Sequence, residues 1–116
     1  MAENHDQLLH VIRQACVAEV RSDHPDLTLR QLGVLLVVYL TNEVQMVRGL
    51  AQHLKVQKPV ISRVLDRLSE LELVRRGIDL EDRRNVLVMR TTSGAAMMER
   101  LRKVMKQATQ SPHDTA

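Results

Sequence analysis

The 116-residue sequence predicts a mostly helical α+β fold in a single domain, and three observations carry that prediction. Apolar residues recur at helical spacing near both ends and through the middle of the chain. Two short stretches with β-branched content flank a polar loop late in the sequence, the pattern of a hairpin. The core material is aliphatic: there is no Trp, no Phe and one Tyr (Tyr39), so Leu, Val, Ile, Ala and six Met must fill the interior. Such cores suit packed helices, and a domain near this size buries roughly two-thirds of its unfolded surface.

Each element follows from local signals. Residues 8–20 place Leu8, Ile12, Cys16 and Val20 at steps of four, one stripe on a first helix. Ser22 to Asp26 ends it, because Pro25 disfavours helix at the residue before it. Thr28-Leu29-Arg30-Gln31 reads as a capping box and opens a second helix running to Leu40. That helix is apolar almost all round and is expected to be the most buried. Thr41-Asn42-Glu43 is a polar break, and Met46 to Leu54 a third helix. Lys55 to Lys58 make a tight turn, and Pro59 opens a fourth helix, where its fixed φ and missing N–H cost nothing. That helix runs to about Leu71, with Val60, Val64, Leu68 and Leu71 along one face. Leu73 to Arg76 and Asn85 to Arg90 are short strands around a polar loop, Gly77 to Arg84. A last helix carries Met97, Leu101, Val104, Met105 and Ala108 on one side, and the tail Ser111 to Ala116 is expected to fray.

Charge and composition exclude several classes. The formal net charge is +3, unevenly spread. Residues 1–54 hold four Lys/Arg against six Asp/Glu, whereas residues 55–90 hold nine against six. The positive charge therefore sits where a polyanion can be met locally. Single-stranded nucleic acid is an unsuitable partner, because stacking platforms need aromatic side chains. One cysteine allows no internal disulfide and fits a reducing compartment. The longest apolar run, Leu32 to Leu40, is too short for a bilayer, which needs about 20 residues. With no basic-then-apolar start resembling a signal peptide, the expected location is cytoplasmic, at the nucleoid. Five His (5, 10, 24, 53, 113) show no metal-ligand spacing, four Gly make no phosphate loop, and no catalytic constellation assembles. No enzyme activity, metal or cofactor is expected.

The third and fourth helices, joined by a three-to-four-residue turn, make a helix-turn-helix unit. Ala51 is small where the helices cross, Val56 plugs the turn, and Ile61 and Val64 pack back on the third helix. The start of the fourth helix then faces outward, able to enter a major groove roughly 12 Å wide. Gln57, Lys58, Pro59, Ser62 and Arg63 are presented there, with Arg67 nearer the phosphates. The hairpin that follows reads as a wing, its tip carrying Arg83 and Arg84 toward backbone or a narrow minor groove. Arg75 joins the phosphate-positioning set. Asp82 and Arg84 are expected to pair within the loop and set its shape, which leaves Arg83 for DNA.

This order of elements resembles the multiple-antibiotic-resistance regulator (MarR) family of bacterial winged-helix repressors. The resemblance covers Leu27 to about Gly94. It is most specific at Leu65-Asp66-Arg67-Leu68, Leu73-Val74-Arg75-Arg76, Asp79-Leu80-Glu81-Asp82-Arg83-Arg84, and Thr91 with Gly94. The family's wing pattern is Asp-x-Arg-Asp-Arg-Arg. The resemblance implies homodimers on pseudo-palindromic operators, and a role for Asp66 and Arg84 in holding the wing against the recognition helix. This sequence differs at Glu81, where the family often has Arg; at Glu72, where Gly is usual; and at Arg90, where Leu is usual. It also stops after one C-terminal helix.

The expected protein is thus a double-stranded-DNA-binding repressor, with residues 59–71 as recognition helix and 77–84 as wing. Residues 27–94 form the DNA-binding core, and 5–22 with 93–110 are dimerisation helices. The alternative is a winged helix reused to bind another regulator. Cys16 lies on the apolar stripe of the first helix and is read as packed rather than redox-active. The methionines are read as core or interface filler, although an inducer pocket would use the same residues.

Overall fold

A computed structural model of the chain describes residues 5–110. The elements are α1 (His5–Arg21), α2 (Leu29–Leu40), β1 (Gln45–Met46), α3 (Val47–Leu54), α4 (Lys58–Glu70), β2 (Val74–Ile78), β3 (Val86–Arg90) and α5 (Thr92–Gln110). The tail reading for Ser111 to Ala116, with His113, lies outside the described residues. The chain divides into two units, Leu27–Ala96 and Met1–Asp26 with Met97–Ala116.

In the Leu27–Ala96 unit, the capping box forms as the sequence indicated. Gln31 N–H donates to Thr28 Oγ1 at 3.1 Å, and Thr28 N–H to Gln31 Oε1 at 2.9 Å. The helix so started buries one face, Val34, Leu35, Val38 and Tyr39, and leaves Leu29 and Leu40 exposed. It is not buried all round. Leu50 and Ala51 of α3 and Ile61, Val64, Leu65 and Leu68 of α4 complete the interior with Val74 and Val88. Each fully buried Leu or Ile removes apolar surface worth roughly 1.5–3 kcal/mol. The buried stripe of α4 is turned by about one residue from the expected Val60–Val64–Leu68–Leu71 face. Leu65 goes inside with Ile61, Val64 and Leu68, which were expected there, while Val60 is half-buried and Leu71 caps the helix. Apolar residues stand at 60, 61, 64, 65 and 68, so two overlapping stripes satisfied the helical period equally well.

Among the described residues the sheet has three strands in the order β1-β3-β2, not the two expected. The hairpin register pairs Val74 with Arg90 and Ile78 with Val86. The additional strand is Gln45–Met46, pairing with Val88 and Leu87. Two residues carry no alternation period, and only a partner strand far along the chain defines them.

Two helix ends use left-handed residues that are not glycine, Lys55 (φ 56°) and Glu72 (φ 61°). After α3, Lys55 N–H bonds Gln52 O and Val56 N–H bonds Ala51 O. After α4, Glu72 N–H bonds Ser69 O and Leu73 N–H bonds Leu68 O. Both are Schellman closures, and they give the turn before α4 and the entry to β2 their sharpness. The position where the family usually has Gly is therefore one where the backbone favours it.

Tyr39, the only aromatic residue, joins three elements. Its hydroxyl donates to Leu73 O at 2.7 Å and accepts from Thr91 N–H at 3.0 Å. Thr91 Oγ1 caps α5 by accepting from Gly94 N–H and donates to Glu72 O. Gly94 lies so close that a Cβ built there would overlap the Tyr39 hydroxyl and crowd the Leu73 carbonyl oxygen. Arg90 closes the C-terminal end of α2, donating to Val38 O at 3.0 Å and Thr41 O at 2.7 Å with its guanidinium over the Tyr39 ring. A cation on the last helical carbonyls is favourable. This gives Arg90 a role that the usual Leu cannot perform.

In the other unit, α1 buries His10, Val11 and Ala15, and α5 buries Met97, Met98 and Ala108. Gln7 Nε2 donates to Ala108 O at 3.2 Å, and Arg100 lies 3.9 Å from Glu19. The expected stripe of α1 faces outward: Leu8, Ile12 (52% exposed) and Val20 (74%) are exposed. Cys16 is exposed with them and is not a packed core cysteine. The four-residue spacing identified a real face of the helix. The buried face is the neighbouring one, built from a His, a Val and an Ala, with less apolar character to announce it.

Candidate nucleic-acid interface

The helix-turn-helix is α3, the Lys55 turn and α4, with Ala51 of α3 buried. α4 begins at Lys58, with Gln57 as N-cap and Pro59 in the first turn. Gln57, Lys58, Pro59 and Arg63 are exposed and Ser62 is half-buried, so the predicted reading face is outward at the start of the helix. Arg67 is half-buried and stands 3.6 Å from Glu70. Its charge is partly answered within α4, by a surface pair worth at most about 1 kcal/mol.

The hairpin is tied to α4 by a residue the sequence reading passed over. Arg76 NH2 donates to Ser62 O at 2.7 Å and to Asp66 Oδ1 at 2.9 Å. Asp66 thus holds the hairpin to the helix, but through Arg76 and not through Arg84. Arg75 is exposed and lies on the other face of β2 from Arg76, because successive strand side chains alternate. The signal was present in Val74. Since Val74 points into the core, the residue two further on shares its face.

Arg84 pairs within the loop, as anticipated. Its Nε and NH2 donate to the two carboxylate oxygens of Asp82 at 3.0 Å each. Arg84 N–H also bonds Asp82 Oδ1 at 3.1 Å. These bonds, first from the Arg84 side chain and then from its backbone, hold the Asp82 carboxyl below the usual carboxylate range. The same pair raises the Arg84 guanidinium above its ordinary value. Asn85 and Asp79 stiffen the neck: Asn85 Nδ2 donates to Asp79 Oδ2 at 3.3 Å. Arg83 is exposed at the tip and has no ion pair among the described residues.

Among the described residues, no group of three or more His, Cys, Asp or Glu could hold a metal, and no helix is long and apolar enough to cross a membrane.

A helix-turn-helix whose second helix presents a cationic first turn, followed by an antiparallel hairpin anchored to that helix, defines the winged helix-turn-helix class. A family model described as MarR family matches residues 26–85, more than half of the chain. The chain belongs to the MarR family of DNA-binding transcription regulators, which are not enzymes. Solved structures agree on the fold. The MepR–DNA complex from S. aureus superposes with a TM-score of 0.75 at 23% identity, over 89% of this chain and 82% of that one. Transcriptional regulator Tm0710 from Thermotoga maritima gives 0.74 at 18% identity, over 89% and 69%. A cysteine-to-serine mutant of MarR from E. coli, complexed with operator DNA, gives 0.66 at 26% identity, over 92% and 71%. Comparison with curated proteins finds no match.

Proposed function

We propose that the protein is a sequence-specific repressor that binds operator DNA as a homodimer, with α4 in the major groove and the hairpin on the adjoining backbone. One observation carries this reading. The outward start of α4, with Gln57, Lys58, Pro59, Ser62 and Arg63, forms no ion pair among the described residues, while the hairpin beside it is held in place by Arg76. In this reading Lys58, Ser62 and Arg63 meet base edges, with Gln57 assisting and Pro59 setting the helix start. Arg67, Arg75 and Arg83 meet phosphates, and Arg84 does so from its Asp82-bound position. Asp66 and Asp82 are structural. The DNA complex of MepR and the operator-DNA complex of MarR support the DNA partner.

The exposed apolar residues of α1, Leu8, Leu9, Ile12 and Val20, support dimerisation through the terminal helices, 5–22 and 93–110, beside a DNA-binding core at 27–94. The wing loop carries Asp79, Glu81 and Asp82 against Arg83 and Arg84, so it favours backbone over deep minor-groove insertion. The test is fluorescence anisotropy on the protein's own upstream promoter and on a scrambled duplex. A site held at least ~10³-fold tighter than the scramble supports the reading. Arg63→Ala should then cost about 1–3 kcal/mol on the site and relax specificity. Equal loss on both duplexes would make Arg63 a phosphate contact instead.

A further inference from the structure

Arg48 lay outside the predicted interface, yet it opens onto a cleft of about 200 Å3 between the start of α3, the first turn of α4 and the neck of the hairpin. Four cations line this cleft, Arg48, Lys58, Arg76 and Arg84, and no acidic residue does. Two of the four are already matched, Arg76 by Asp66 and Arg84 by Asp82. Arg48 and Lys58 form no ion pair among the described residues. The partner that orients Arg48 is a neutral amide, Asn85 Oδ1, at 3.1 Å from NH2. Asp82 feels Arg48 only as the weakest influence on its carboxyl, behind its bonds to Arg84. Two unmatched cations therefore share a concave space several times larger than the roughly 30 Å3 of one water.

The position of the cleft indicates what fills it. A recognition helix in one groove and a hairpin toward the next must straddle the sugar-phosphate backbone between them, and the cleft lies between those two elements. Arg offers a planar fork and Lys a compact charge, a pairing suited to phosphate oxygens.

We propose that this cleft seats one backbone phosphodiester of duplex DNA, clamped by Arg48 and by Lys58, which this assigns to the backbone instead of a base edge, with Asn85 holding the Arg48 guanidinium at the hairpin neck. The proposal rests on the DNA-binding reading above and adds α3 to the interface as a backbone clamp. The contact is to phosphate, so it carries no sequence information and contributes on every duplex.

The experiment is a salt series of binding to a short duplex of scrambled sequence, by anisotropy, for the wild-type chain, Arg48→Ala, Arg48→Lys and Arg30→Ala, an exposed cation of α2 that does not line the cleft. Thermal melts verify that each variant folds. The Arg48→Ala variant is expected to bind more weakly, with its log–log salt slope shallower by about one unit, the loss of one phosphate contact. Arg48→Lys is expected to keep the slope, as is Arg30→Ala. A slope for Arg48→Ala equal to that of the wild type or of Arg30→Ala overturns the clamp and leaves DNA binding intact. Failure of the wild-type chain to bind any duplex overturns both.

Discussion

Replacing Gly94 by Ala tests the joint at Tyr39, because one methyl group has nowhere to go. Gly94 is the third residue of α5 and is buried, and an added Cβ would overlap the Tyr39 hydroxyl with the Leu73 carbonyl oxygen close behind. The ring cannot withdraw easily, since Tyr39 is only 7% exposed and carries the Arg90 guanidinium on its face. If the hydroxyl moves, two hydrogen bonds are lost, to Leu73 O and from Thr91 N–H, each worth about 0.5–1.5 kcal/mol net. The groups left unpaired add a desolvation cost of about 1–3 kcal/mol. Against this, Ala is favoured over Gly in a helix by about 1 kcal/mol. The expected net loss is roughly 2–4 kcal/mol, read as a lower urea midpoint with an unchanged m-value. In a thermal melt this corresponds to a drop of roughly 10–15 °C. Tyr39→Phe removes the same hydroxyl, so the double variant should lose clearly less than the sum of the single losses. A Gly94→Ala protein within about 1 kcal/mol of wild type, or additive losses, would refute the proposed crowding.

Other perturbations follow from the same geometry. Arg76→Ala should cost no more than about 1 kcal/mol of stability in a melt, because Asp66 is largely exposed, yet weaken duplex binding by freeing the hairpin from α4. Arg76→Lys should restore binding only in part, since the shorter side chain places its ammonium short of the NH2 position that serves both Ser62 O and Asp66; full rescue by Lys would contradict this. Glu72→Gly and Lys55→Gly should each raise stability by roughly 0.5–1 kcal/mol, the left-handed strain of about 1–2 kcal/mol exceeding glycine's entropy cost. A lower melting temperature in both would indicate that their side chains contribute more than their backbones lose. The Asp82 carboxyl is lowered by Arg84, so its contribution to loop order is present above the usual carboxylate range and is lost as pH falls through its depressed value. Amide resonances of residues 82–85 should therefore shift on acidification below about pH 4, and Asp82→Asn should abolish that shift.

The sequence by itself determined whatever depends on neighbours along the chain. Thr28 and Gln31 stand three apart and cap α2 wherever that helix lies. Pro59 opens α4 because its ring fixes φ, and the short turn between α3 and α4 makes the helix-turn-helix. The β-branched residues from Val86 to Val88 mark a strand, and Asp82 and Arg84 lie close enough in sequence to pair within one loop. Tertiary structure decided which of two overlapping stripes on α4 faces inward: Leu65 is fully buried and Val60 half-buried, although both fit the helical period. It also decided that Gln45 and Met46 form a strand, since a two-residue strand exists only through its pairing with β3. That Arg76 and not Arg84 bonds Asp66 has the same origin: the burial of Val74 sets the face that Arg76 shares. Arg48 and Lys58 enclose one cleft only because the turn at Lys55 brings the starts of two helices together. Local propensity acts between residues a few positions apart, whereas the face a side chain takes is set by what packs against it from a distant part of the chain.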